Sequence, residues 1–286
     1  MPRLVHPGTR RFHFAAAAVL ASALASAGEG DLRFVVYGGS EGTGDTTRSV
    51  IAQVVRLRPD LVAHAGGMVG NSRLTQWVAF HQIAEPITSL FPFYGCRGRG
   101  EKRAVIQSRG DAPEPRLFCD NYFSFDYRGA HFTFLDTERP IFKDDPQTRW
   151  LADDLASAEG KPIFVFSHRA VFGAAERHIL RDGHYWWHPL FVKHKVRVAF
   201  SGARHLYHRL CRDGVTYLIT GGGGAPLDPV MARRQVCPGD VAASFNHCIE
   251  VTVSTTEIRC RAVDPEGRTR DEFAVRAAGA LGPVEP

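Results

Sequence analysis

Short apolar runs that end in glycine alternate with segments of helical spacing in the first part of this 286-residue sequence. The runs "LRFVVYGG" and "DLVAHAGG" are typical of buried strands, and the segment between them has the apolar spacing of a helix that Pro59 ends. A second helix, "TQWVAFHQIAEPI", leads to a third short strand, "FPFYG". This alternation predicts a parallel sheet flanked by helices, and therefore an α/β fold.

The pattern changes after about residue 120. Two alternating runs separated by "RGA" predict a β-hairpin, and the following helix, over residues 146–160, has proline near its start and glycine after its end. Further strands and one more helix follow, and three final segments are typical of antiparallel strands: "HRLCRDGVTYLITGG", "NHCIEVTVS" and "TEIRCRAV". We find no internal repeat or linker. We therefore expect one domain over residues 28–270 and a disordered tail over residues 271–286.

The N-terminal segment is typical of an export signal. Residues 1–27 combine three arginines with the apolar run "FAAAAVLASALA" and a small-residue end, which predicts a signal peptide cleaved near Ala27. The alternative is a membrane anchor, for which the run is too short. We therefore expect a secreted or periplasmic protein, not membrane-bound after cleavage. Residues 1–27 contain no acid, so their removal reduces the formal net charge from +5 to +2, and no nucleic-acid partner is expected.

The sequence has six cysteines, an even number that predicts disulfides in an exported chain. Six cysteines allow 15 full pairings, so the sequence leaves the pairing open. The pairs that we expect from their loop and strand positions are Cys237–Cys248, Cys211–Cys260 and, by remainder, Cys96–Cys119. Oxidised cysteines would not serve as nucleophiles, which disfavours cysteine catalysis.

Five loops follow the carboxyl ends of predicted strands. Ligands of open α/β sheets collect at this edge, so we expect the loops to form one surface patch. They are "GGSEG" (38–42), "GGMVGN" (66–71), "GCRGRGEK" (95–102), "SHRAVFG" (167–173) and "SGARHLYH" (201–208). The adjacent Ser167 and His168 would point to opposite sides of an extended chain, and no G-x-S-x-G motif is present, which argues against a serine hydrolase.

The order of these strands and loops resembles the calcineurin-like metallophosphoesterases, which include the purple acid phosphatases. The resemblance covers roughly residues 33–263 and extends beyond the loops to several longer stretches. These stretches are "LRPDLVAHAGGMVGN", "YFSFDYRGAHFTFLDTE", "QTRWLADDLASA", "FVFSHRAVF" and "GVTYLITGGGGAPL". The resemblance implies a four-layer αββα sandwich, and two metal ions held by Asp, His and Asn side chains of the five loops.

Most of the implied ligand positions are substituted in this chain. Gly39 and Gly67 stand where the family has aspartates in its first and second loops. In the third loop Arg99 and Gly100 replace the family's asparagine and histidine, and in the fifth loop Ala203 replaces the first of two histidines. Two nearby divalent ions repel strongly unless a bridging carboxylate compensates them. The sequence therefore predicts a lost dinuclear centre, and we expect no cofactor.

Three residual candidates remain at the implied site. His168 and His205 coincide with family ligand positions and are interpreted as vestigial, and Glu41 could join His205 at one metal position. That pair supplies two protein ligands where three or four are usual. An alternative is an active phosphoesterase in which Glu41, His168 and His205 form a rebuilt mononuclear site for Mn, Fe or Zn. Deliberate removal of ligands to trap a substrate would leave the same pattern.

Two arginines in these loops suggest a binding role instead of hydrolysis. Arg99 and Arg204 could hold a phosphate-bearing or other anionic ligand, because a guanidinium binds phosphate through two hydrogen bonds. The competing interpretation is that both side chains point to solvent. The leading hypothesis is therefore a catalytically inactive pseudophosphatase that binds an anionic ligand or a protein partner.

Overall fold

The computed structural model describes residues 4–5, 31–41, 44–101, 122–173, 179–230 and 239–277. These residues form two β-sheets that pack face to face, with helices on the outer face of each sheet. The predicted signal peptide lies outside the described residues except for Leu4 and Val5, which form a short strand.

The six-stranded sheet contains the first parallel unit of the chain. Its strand order is β14-β13-β12-β2-β3-β4, in which β2, β3 and β4 are parallel and the others antiparallel. The bounds are β2 (Leu32–Tyr37), β3 (Leu61–His64), β4 (Phe93–Gly95), β12 (Cys248–Val253), β13 (Glu257–Val263) and β14 (Thr269–Arg276).

The eight-stranded sheet has the order β1-β5-β6-β7-β8-β10-β9-β11. Its centre is parallel, since β7 pairs in parallel with β6 and β8, and β10 pairs in parallel with β8. The bounds are β1 (Leu4–Val5), β5 (Phe123–Tyr127), β6 (Ala130–Leu135), β7 (Ile163–Ser167), β8 (Val198–Ser201), β9 (Tyr207–Arg212), β10 (Val215–Thr220) and β11 (Val241–Ala243).

The helices pack on the outer faces of the sheets. The apolar side of α1 (Asp45–Leu57) and α2 (Leu74–Thr88) covers the six-stranded sheet. The eight-stranded sheet is covered by α3 (Pro146–Ser157) with α4 (Arg181–Trp186) and α5 (His188–Lys193). The sequence explains where α3 begins. The Asp145 side chain accepts hydrogen bonds from two amides of the first turn, and the proline at the helix start has no N–H group that needs an acceptor.

A phenylalanine-rich core lies between the two sheets. Alternation along β2 turns Phe34 toward this core and Val35 toward the helices. Phe34 makes edge-to-face contacts with Phe132 and Phe164 across the sheets, at centroid distances of 5.2 and 4.9 Å. This helix–sheet–sheet–helix arrangement confirms the predicted four-layer αββα sandwich.

The expected disordered tail is wrong for residues 271–277. Most of them belong to β14, which pairs along its length with β13. Asp271 accepts hydrogen bonds from Arg209 Nε (2.7 Å) and the Tyr207 hydroxyl (2.6 Å), and Val275 is buried. The strand lies at the sheet edge with charged side chains on its outer face, so its sequence looks like a polar tail.

The expected Cys211–Cys260 disulfide is also wrong. Cys211 is exposed on the eight-stranded sheet, whereas Cys260 is buried on the other sheet, and no disulfide joins the cysteines that the structure describes. Cys119 and Cys237, to which the other two expected pairs belong, lie outside the described residues.

In the described part of the chain, no helix combines the length and apolar character needed to cross a membrane.

Candidate functional site

The five loops meet at the carboxyl edge of the parallel strands. The first and second loops are joined by hydrogen bonds from the amides of Gly39 and Ser40 to the carbonyls of Gly66 and Gly67, at 3.0 and 2.7 Å. The fourth and fifth loops are joined in the same way, because the amide of Ala203 donates to the carbonyl of His168 at 2.8 Å. The sequence therefore predicted their convergence correctly.

The backbone at the substituted positions leaves no room for metal-binding side chains. A Cβ on Gly39 would lie 2.4 Å from the carbonyl oxygen of Gly221, and one on Gly100 would lie 1.8 Å from the carbonyl oxygen of Val69. Gly39 and Gly67 also have φ values of +65° and +77°, which strain any residue with a Cβ. In this conformation a side chain on Gly39 or Gly100 would therefore collide with the backbone, whereas one on Gly67 would meet backbone strain.

An ion pair links the first and fifth loops at this point. Nε2 of His205 lies 3.1 Å from Oε2 of Glu41, and Nδ1 lies 3.0 Å from the carbonyl oxygen of Pro226. Both ring nitrogens thus face acceptors, which requires a proton on each. The hydrogen bond to Glu41 outweighs the opposing effect of burial and raises the pKa of His205. The arrangement favours an imidazolium paired with a carboxylate.

His168 lies in a different environment from His205. Its buried ring packs between the second and third loops. A Cβ on Gly66 would lie 2.7 Å from its Nδ1, and a Cβ on Gly98 would lie 3.0 Å from its Cδ2. Its Nδ1 is 3.4 Å from the carbonyl oxygen of Ala65. His168 and His205 therefore contact different loops.

Glu101 is a site residue that the sequence analysis missed. Its buried carboxylate accepts hydrogen bonds from the amide of Met68, from the amide of Val69 (3.3 Å) and from the amide of Gly98 (3.1 Å). Burial is the main cause that raises the pKa of Glu101 to about 7, and the charge of Glu41 adds to it. The side chain connects the second and third loops. A glutamate within a glycine-rich loop was the available signal.

Ser40 and His64 form a second pair that the sequence did not reveal. The Ser40 hydroxyl lies 2.8 Å from Nε2 of His64, while Nδ1 accepts a hydrogen bond from the amide of Gly66 at 3.1 Å. Nδ1 thus carries no proton, so the neutral ring is protonated on Nε2 and donates to Ser40. A general base needs an unprotonated nitrogen at the hydroxyl, so this pair does not activate a nucleophile. Burial lowers the pKa of His64 to about 3, which keeps the ring neutral.

The two arginines predicted to bind anions differ in the structure. Arg204 is largely buried, and its Nε lies 3.0 Å from Oδ2 of Asp228, so its charge is already compensated. Arg99 is exposed at the rim of the third loop and forms no ion pair with the residues described. Both anion-binding assignments stay predictions. Of the two side chains, that of Arg99 has no carboxylate partner among the described residues and could therefore bind an anion without breaking an ion pair.

The residues present do not fit the two metal ions that the resemblance implies. Gly39 and Gly67 supply no ligand atoms, and Nε2 of His205 is engaged by Glu41. Within the described ranges, no three His, Cys, Asp or Glu side chains are grouped so that they could hold a metal ion. Among the described residues, Glu41, His168 and His205 do not form such a group either.

Comparison with known proteins places this site in a family context. No protein-family model matches the sequence. The chain is 26% identical over 189 residues to phosphoenolpyruvate phosphatase of Allium cepa, an alignment that covers 58% of this chain and 38% of the relative. It is 24% identical over 255 residues to "Probable inactive purple acid phosphatase 9" of Arabidopsis thaliana, with 68% and 39% covered. The chain thus spans about two fifths of the length of these relatives.

Solved structures agree on the fold. Purple acid phosphatase PPD1 from yellow lupin (Lupinus luteus) seeds superposes with a TM-score of 0.75 at 19% identity, covering 86% of this chain and 54% of that one. GAP50, the anchor in the inner membrane complex of Plasmodium, superposes with a TM-score of 0.69 at 14% identity, covering 88% and 90%. The chain therefore has the calcineurin-like metallophosphoesterase fold and resembles the purple acid phosphatases in sequence.

Proposed function

We propose that this protein is a pseudophosphatase, a metallophosphoesterase-fold protein that binds a ligand or partner without hydrolysing phosphate esters. The observation that carries this proposal is the Glu41–His205 ion pair between the first and fifth loops. A histidine ligates a metal through an unprotonated ring nitrogen. Here each nitrogen of His205 faces an acceptor, Oε2 of Glu41 or the carbonyl oxygen of Pro226, which leaves neither nitrogen open to a metal ion.

Two comparisons support a role without catalysis. One relative is named a probable inactive purple acid phosphatase, and one protein of the same fold is described as an anchor in a membrane complex. The proposal extends that idea to this chain. Its ligand would be an anionic group or a protein that contacts the loop patch, with Arg99 as the side chain available to an anion. The N-terminal export signal would place this binding outside the cytosol.

Metal content and activity measured together test the proposal. The purified full chain is analysed for bound metals and assayed with a generic phosphomonoester after addition of Mn, Fe or Zn. A purple acid phosphatase with an intact site serves as the positive control for both measurements. We expect substoichiometric metal and no turnover above buffer, because the residues that the structure describes supply no grouped ligands.

One outcome would contradict the proposal directly. Stoichiometric metal with metal-dependent turnover would show that the chain is an active phosphoesterase. If bound metal and turnover were both lost in the variant Glu41→Gln but kept in Glu85→Gln, the active site would be the rebuilt mononuclear site that includes Glu41. Glu85 is an exposed residue on α2 and leaves the loop patch untouched.

A further inference from the structure

A cavity rich in cationic side chains lies at the amino ends of β7 and β8, whereas the loop patch lies at their carboxyl ends. It has a volume of about 420 Å³ and lies between the last turns of α3 and α5 and the segments that lead into β7 and β8. Its lining residues are Leu155, Ala156, Glu159, Gly160, Lys161, Lys193, His194, Lys195 and Arg197. The fourth and fifth loops leave the other ends of β7 and β8, so this basic cavity is separate from the candidate site.

The charges that line the basic cavity are unbalanced. Four cationic side chains face one carboxylate, that of Glu159. Lys161 is held by Oδ2 of Asp126 at 2.7 Å. Lys193 and Lys195 are exposed, and neither forms an ion pair with a residue that the structure describes. Exposed lysines of this kind attract anions, and a concave shape strengthens their field.

The wall of the cavity is held rigidly by the sheet. Arg197 is only 5% exposed, and its backbone is fixed by hydrogen bonds to Ile163 (2.9 Å) and from Thr216 (3.2 Å). Burial lowers the pKa of this guanidinium. His194 also lines the cavity, and its buried Nε2 makes no hydrogen bond with the described residues.

Helix capping does not explain these cations. Lysines near a helix C-terminus often bind its last carbonyls. Here those carbonyls are already occupied by amides of the following turn, through the hydrogen bonds Lys195 N to Val192 O, Val196 N to Phe191 O, His194 N to Leu190 O and Lys161 N to Ala158 O. In addition, Lys195 has a φ of +57°, a conformation that glycine adopts with less strain.

We propose that the basic cavity binds a phosphate group. Exposed lysines beside an arginine that lines the same cavity suit the several oxygens and multiple charge of phosphate. The volume lies in the range of about 300–1,000 Å³ of small-molecule sites, so it has room for a phosphate ester of a small molecule as well as for free phosphate. The site is independent of the pseudophosphatase proposal, since it uses none of the five loops.

Calorimetric titration of the full chain tests this inference. The probes are inorganic phosphate and glucose 6-phosphate, with glucose as the uncharged control. We expect one phosphate-bearing probe per chain, affinity that falls with added salt, and no heat from glucose. Tighter binding of glucose 6-phosphate would assign the cavity to esters, and equal affinity would assign it to free phosphate.

Variants locate the binding. Lys193→Glu reverses an exposed charge of the cavity and should weaken binding by about tenfold or more. The matched control Lys143→Glu changes an exposed lysine near the opposite end of α3 and should leave the affinity unchanged. Arg99→Ala should also leave it unchanged, which separates this site from an anion site at the loop patch. Absence of binding at millimolar probe, or equal affinity in Lys193→Glu and the unmodified chain, would overturn the inference.

Discussion

At the scale of single residues, glycine decides the state of the candidate site. Glycine stands at positions 39, 67 and 100, where the family resemblance implies ligand side chains, and at two of them the backbone lies too close for any side chain. Carbonyl oxygens of Gly221 and Val69 now lie where side chains on Gly39 and Gly100 would begin. Restoring a ligand residue by a single substitution would therefore create strain before it could create a metal site.

Alanine substitution at three glycines of positive φ measures how tightly the surrounding atoms enclose each position. Gly129→Ala adds a Cβ in open space and should cost about 1 kcal/mol of unfolding free energy, from backbone strain alone. Gly67→Ala meets Oε1 of Glu41 at 3.1 Å, a side-chain atom that can move, and should cost slightly more. Gly39→Ala meets a backbone oxygen at 2.4 Å and should cost about 3 kcal/mol or more.

Urea denaturation of the three variants gives these free energies, and the ordering is the test. Equal losses of unfolding free energy in Gly39→Ala and Gly129→Ala would mean that the first loop rearranges to accept a side chain, which would contradict the tight packing around Gly39.

At the scale of elements, a buried polar network attaches α3 to the eight-stranded sheet. Asp154 of α3 accepts hydrogen bonds from Ser124, from Thr133 (3.0 Å) and from Nε2 of His131 (3.1 Å). Nδ1 of His131 lies 2.8 Å from Asp126. Burial lowers the pKa of His131, but the hydrogen bonds and charges of the two carboxylates outweigh it and raise the pKa overall.

Substitution within this network should separate its buried and exposed halves. Asp154→Asn leaves the protonated His131 without a buried counter-charge and should destabilise the fold by about 3 kcal/mol or more. Lys161→Ala removes the partly exposed partner of Asp126 and should cost less than about 1 kcal/mol. Chemical denaturation measures both, and an NMR titration should show a lower His131 pKa in Asp154→Asn. Similar losses for the two variants would contradict a buried ionic network.

The edge strand β14 shows how an element can be missed. Its partner β13 supplies the hydrogen bonds, and Arg209 and Tyr207 of the other sheet bind its Asp271. None of these contacts is visible in the local pattern "TRDEFAVR", which carries charge on the outer face of the strand.

At the scale of the whole molecule, buried titrating groups predict a maximum of stability near neutral pH. His64 and His247 have pKa values lowered to about 3 and about 4, chiefly by burial. Their contribution is present above the ordinary histidine pKa of 6.5 and is lost as the pH falls. His131 and His205 have raised pKa values, so their contribution is present below 6.5 and is lost as the pH rises.

Glu101 partly offsets the contribution of the buried neutral histidines. Its pKa is raised from 4.5 to about 7, so it loses stabilisation as the pH rises between these values. Over the same range the two buried neutral histidines gain more than one carboxyl loses. We therefore expect the melting temperature to be highest between about pH 6 and 7. Calorimetry from acidic to alkaline pH measures the melting temperature. In Glu41→Gln the melting temperature should fall less steeply as the pH rises above neutral, because Glu41 raises the pKa of His205. A melting temperature that rises steadily to alkaline pH would contradict the assignment.

The sequence by itself determined the alternation of strands and helices, and its family resemblance implied the four-layer class and the substituted ligand positions in four of the five loops. Backbone periodicity and the absence of a side chain are local properties, so they can be inferred without coordinates. Only the tertiary structure decided what replaced the lost ligands. The Glu41–His205 pair, the amides around Glu101, the tautomer of His64 and the basic cavity all join residues that are distant in the chain. Such contacts depend on how the sheets and helices close in space, which no local pattern specifies.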